Sequence, residues 1–241
     1  MNFFEKLFKR KPKLTWIQAV QDLKNIGNVD LNRFISACEI IDKLADDTKI
    51  PELYELLNHH EFVVREAASI PLARLEGSKL LPFLFDALIR GEDDGHDNDS
   101  LVATITDLLE LHKKESVDIL MEIFNNGSNE LRVCAAWGFG FVVPEITADF
   151  LLECFIKEKS KEVQSTLAGS LSSFKSNQKI IEELIKNIED YNEQVRVSVI
   201  LTLGQIGDKN IIPKLKELLE ITTTDDTRFI TESMITRLEK L

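Results

Sequence analysis

From residue 50 onward the chain repeats itself. Segments opening at residues 50, 81, 117, 149, 180 and 211 align with one another, and five of the six are 31 or 32 residues long. A fixed period of this size constrains the fold more than any composition does. Each period is one supersecondary unit that cannot bury its apolar side alone, so neighbouring units must stack.

Within each period two runs carry apolar residues at helical spacing, as in Ile180, Leu184, Ile185 and Ile188, then Val195, Val199, Thr202, Leu203 and Ile206. Polar turn residues separate the runs, so each period reads as a helical hairpin. A weaker first unit precedes residue 50. The expected fold is all-α: a single solenoid over 13–241 of about seven stacked hairpins, near 13–49, 50–80, 81–116, 117–148, 149–179, 180–210 and 211–241. Residues 1–12 stand apart as a basic and apolar leader. In it Phe3, Phe4, Leu7 and Phe8 share one helical face, and Pro12 ends the segment. Two turns of that kind give at most weak, reversible contact with an anionic membrane; an apolar cap on the first repeat is the alternative.

The residues Val64-Arg65-Glu66-Ala67-Ala68, and Val195-Arg196 followed by "TLGQIGD" at 202–208, resemble the second-helix pattern of HEAT repeats, especially the short bacterial type; Leu131-Arg132 with "CAAWGFG" is a variant. The resemblance covers about 50–241. It implies a right-handed superhelix whose second helices line a concave, protein-binding surface. It also implies a structural role for the arginine, bridging to an acidic group near the turn. Val102 and Gln164 replace that arginine in two repeats, which are expected to stack less regularly.

The repeat at 81 is the long one, by about five residues, and the surplus falls on "RGEDDGHDNDS" at 90–100. Gly91 is expected to end one helix there, and Asn98, Asp99 or Ser100 to start the next. The order of acids does not match a calcium-binding helical-hand loop, and zinc needs more than the single local histidine. No metal and no cofactor are expected. Asp93, Asp94, His96, Asp97 and Asp99 are candidates for contact with a partner; a plain solvated loop is the other reading.

Enzymatic relatives of the fold set further tests. His60-Glu61 is similar to the pairs of HEAT-type di-iron hydroxylases, but it is the only such pair, and HEAT-like DNA glycosylases need a basic trough. Lys+Arg total 29 against 41 Asp+Glu, a net charge of −12, which repels nucleic-acid phosphate and suits a basic protein partner. Cys38, Cys134 and Cys154 sit beside apolar neighbours, as core residues of a reducing compartment do. No run approaches the roughly 20 apolar residues of a membrane span. The chain is expected to be cytoplasmic.

Counting from the valine of Val-Arg, the inward positions are Val64, Ala67, Ala68, Pro71, Leu72 and Leu75. The same count in the repeat at 117 leaves Val133, Trp137 and Phe141 on the outward stripe, which makes them the leading candidate for a partner anchor; packing between adjacent repeats is the alternative. The expected function is therefore a non-catalytic protein-binding module that engages a basic partner through its concave face and acidic loop. A dedicated inhibitor of one basic enzyme or toxin is the narrower alternative, and a hydroxylase or glycosylase relative the remote one.

Overall fold

The computed structural model describes residues 14–95, 98–175, 177–221 and 224–241. The leader at 1–12, and His96 and Asp97 of the acidic stretch, lie outside the described residues. The chain forms two compact units, Met1–Leu108 and Leu109–Leu241, where the repeat pattern by itself runs on as one array. The boundary falls within the hairpin that carries the surplus residues.

Regular structure among the described residues is entirely helical. In the first unit the pairs are α1 (Trp16–Lys24) with α2 (Leu31–Leu44), α3 (Ile50–Leu57) with α4 (Phe62–Glu76), and α5 (Leu81–Asp93) followed by α6 (Asp99–Leu111), within which the unit ends. The second unit continues with α7 (Lys113–Asn126) and α8 (Asn129–Gly138), α9 (Ala148–Lys157) and α10 (Lys161–Leu171), α11 (Gln178–Lys186) and α12 (Glu193–Ile206), and α13 (Ile212–Ile221) and α14 (Asp225–Glu239). Each pair is one hairpin of an α-solenoid. In the second unit the second helices α8, α10, α12 and α14 lie side by side, each packed on the next.

Local chemistry sets where the helices start. Asp30, Ser128, Thr147, Ser160, Asn177 and Asn192 each place a side-chain oxygen on the backbone N–H three residues on, satisfying one of the donors that a helix start leaves unpaired. Thr15 and Gln18 close a reciprocal capping box on α1. Gly207 ends α12 at φ 85°, a left-handed conformation that suits a residue without Cβ.

The arginines act at the other end of the first helices, where carbonyls lack helical partners. Arg196 donates to the carbonyls of Ile188, Glu189 and Tyr191. Arg65, 1% exposed, donates to those of His59 and His60. Arg132 donates to the Phe124 carbonyl at 3.1 Å and also pairs with Glu158. The expected acidic bridge therefore holds at Arg132, while Arg65 and Arg196 chiefly satisfy backbone oxygens.

The repeat that carries glutamine in place of arginine meets the same need. Gln164 donates to the Phe155 carbonyl at 3.1 Å, and α10 packs on both α8 and α12, so irregular stacking does not follow from the lost arginine. In the long repeat Asn98 Nδ2 lies 3.5 Å from the Leu88 carbonyl. A ladder of hydroxyls then ties neighbouring second helices together: Ser170 donates to the Ala136 carbonyl and Thr202 to that of Ala168, both at 2.7 Å. Thr202 belongs to the core for that reason.

Candidate functional site

Arg132, Gln164, Arg196 and Arg228 stand 32 residues apart and fix the register of the second helices. The positions three and seven residues after them are all buried: Ala135, Leu167, Val199 and Thr231, then Phe139, Leu171, Leu203 and Ile235. The positions one and five residues after them fall on the outward row, which contains Val133, Val197 and Phe229, then Trp137 and Leu201. Phe229 is 71% exposed and Leu201 36%.

Trp137 and Phe141 are half-buried and meet edge to face, with ring centroids 4.9 Å apart. Their spacing of four is not an unbroken helical stripe, because α8 ends at Gly138. The turn that follows, closed by Gly140 N–H to the Trp137 carbonyl and Phe141 N–H to the Gly138 carbonyl, brings the second ring back onto the first. The rings form one wall of a groove of about 350 Å³; Gly169, Ser170 and Ser173 at the end of α10 line the other. Ser170 and Ser173 donate to the carbonyls of Ala136 and Gly140, which fixes the spacing of the two walls. A Cβ at Gly169 would meet nothing within 4 Å, so a side chain could be added on that wall. Val133 is half-buried one turn before Trp137.

The acidic stretch is built differently from a simple loop. α5 continues through Asp93, so part of the surplus length is an added helical turn, and Gly91 lies inside that helix rather than at its end. The reason for glycine there is close approach: a Cβ would collide with the amide of Asn98. The Asn98 carbonyl accepts from the Val102 N–H at 2.9 Å, which makes Asn98 the residue that opens α6. Asp93, Asp94 and Asp99 are exposed. Among the described residues no three His, Cys, Asp or Glu side chains are grouped to hold a metal ion.

The remaining polar candidates are occupied by the fold. His59 and His60 stack in the turn between α3 and α4, and the Glu61 N–H donates to His59 Nδ1 at 3.0 Å. The exposed His60 lies 3.6 Å from the Glu61 carboxylate. Burial pushes the thiols of Cys38 and Cys154 up to about 11, so both stay protonated and weakly nucleophilic at neutral pH.

A second groove, of about 360 Å³, lies between α12 and α14. Its lining includes Glu193, Val197, Ser198, Asp226, Phe229 and Ile230. Reading the outward stripe in the repeat at 117 alone misses it; stepping on from Val133 by 32 residues at a time reaches Ser165, Val197 and Phe229. Neither groove has Lys or Arg in its lining, so neither offers cations to a phosphate backbone.

Residues 148–235 match the family model for HEAT repeats. No curated protein matches the chain. Among the described residues no helix is long and apolar enough to cross a membrane.

Proposed function

We propose that this chain, of which residues 148–235 match the HEAT-repeat model, is a non-catalytic protein-binding module that works through the outward row of the second helices, with Trp137 and Phe141 as the anchor. The observation that carries this reading is the half-exposed pair of rings that forms one wall of an open groove. Aromatic side chains in such settings supply large contact area with little entropy to lose, and they dominate the energetics of protein interfaces. Val133 extends the same apolar wall. The partner is a protein with a basic surface. A net charge of −12 draws it in, and Asp93, Asp94, Asp97 and Asp99 contribute to that long-range attraction, with His96 beside them as a polar contact.

The test is site-specific photo-crosslinking in the full chain. Gly169 has open space beyond it, so a photoreactive side chain placed there reports on the groove, while one at the exposed Ile156 serves as the off-site control. Position 169 should capture a defined protein that position 156 does not, and Trp137→Ala should abolish the capture. Identical captured proteins from both positions, insensitive to Trp137→Ala, would remove the groove from the binding surface.

A further inference from the structure

We infer that the groove between α12 and α14 is a second docking site, one that takes a protein segment presenting an apolar side chain beside a lysine or arginine. The inference rests on the protein-binding reading and deepens it by naming the chemistry of the segment bound.

The groove has two chemically distinct parts. Val197 from α12 and Ile230 from α14 are half-buried in it, and Phe229 stands at the mouth with 71% of its surface in water. Covering such a ring removes apolar area from water that the fold leaves uncovered, at roughly 25 cal/mol per Å². At the end where both helices begin lie Glu193 and Asp226, both exposed. Acids in a first turn favour the helix dipole, which accounts for their presence there but not for an exposed phenylalanine lining the same groove.

Glu193 is oriented rather than neutralised. Its carboxylate accepts from the hydroxyls of Thr224 and Thr227, the latter at 2.9 Å. Those two bonds, with a smaller pull from the nearby Arg196 charge, hold it below the usual glutamate range. The carboxylate is therefore fixed in place, its hydrogen bonds coming from neutral hydroxyls. With no Lys or Arg in the lining, the groove repels anions and selects a cation placed next to an apolar anchor. The spacing of acidic end and apolar cleft along one groove gives the site its polarity.

The full chain, carrying labelled isoleucine and valine methyl groups, is titrated by NMR with a synthetic peptide of helical leucine–lysine pattern. A peptide with every lysine replaced by glutamate is the control. The lysine peptide should shift the Val197 and Ile230 methyls saturably. Phe229→Ala should weaken that binding roughly 30-fold, the loss that marks a hot spot, with the melting temperature unchanged because the ring is exposed. Glu193→Gln, which keeps the acceptor for both threonines, combined with Asp226→Asn should weaken binding about fivefold at low ionic strength and flatten its salt dependence. Equal binding of the glutamate peptide, or no shift at Val197 and Ile230, would overturn the inference. Shifts confined to Val133 would overturn it too while leaving the Trp137 site standing, and Trp137→Ala should not alter the Val197 and Ile230 shifts.

Discussion

The turn end of the hairpins and the outward row of the second helices in the unit 109–241 carry opposite chemistry. At the turns, polar and charged side chains are consumed by the chain's own backbone: Arg196 serves three carbonyls, Gln164 one. On the outward row the apolar side chains Trp137, Leu201 and Phe229 remain partly or largely in water. The contrast separates framework from function. A residue type that recurs because the helix end needs a donor says nothing about partners, whereas the apolar side chains on the outward row are the ones on which the proposed binding surface rests.

The comparison breaks most easily in the core beneath the row. Leu203 is fully buried, and Leu203→Ala should cost about 2 to 5 kcal/mol, read as a shift of the denaturation midpoint. An unchanged midpoint would mean that the register separating buried from outward positions is wrong.

A smaller effect sharpens the turn side. Arg196→Ala leaves three carbonyls without their donor and should cost about 1 to 3 kcal/mol, while Gln164→Ala removes a single neutral bond and should cost about 1 kcal/mol. Chemical denaturation of the two variants side by side checks the ordering. Equal costs would mean that the glutamine replaces the arginine in full.

The smallest effect belongs to the acidic stretch. Asp93→Asn with Asp94→Asn removes exposed charge and should slow association with a basic partner at low salt, leaving dissociation and stability nearly constant. Stopped-flow kinetics at two ionic strengths measure it, and a faster dissociation rate would place these aspartates in direct contact instead.

Much of this arrangement is legible in the sequence. The 31-residue period and the helical spacing of Val195, Val199 and Leu203 give the hairpins and their buried faces directly, since burial follows periodicity. The arginine pattern is legible as a motif, but its purpose is not, because spacing cannot show that the acceptor is a carbonyl at a helix end. For the same reason Gln164 reads as a departure although it points a donor at the Phe155 carbonyl, as Arg132 does at that of Phe124. Gly91 reads as a helix end because glycine is common there, while the close approach of Asn98 is visible only in three dimensions. The Trp137–Phe141 pair is found in sequence by a helical count that the structure does not obey, since a turn rather than a fourth helical step brings the rings together. Phe229 does not stand out from the stripe of a single repeat, since its position is marked only by the 32-residue spacing from Val197.

Trp137→Ala, measured in parallel for unfolding and for affinity toward the protein captured through position 169, tests the binding surface most directly. A ring that serves as the anchor should show affinity weakened by about 2 kcal/mol or more with the denaturation midpoint nearly unmoved. A loss of about 3 to 5 kcal/mol in stability, with normal binding by the molecules that remain folded, would show instead that the ring is part of the packing between helices.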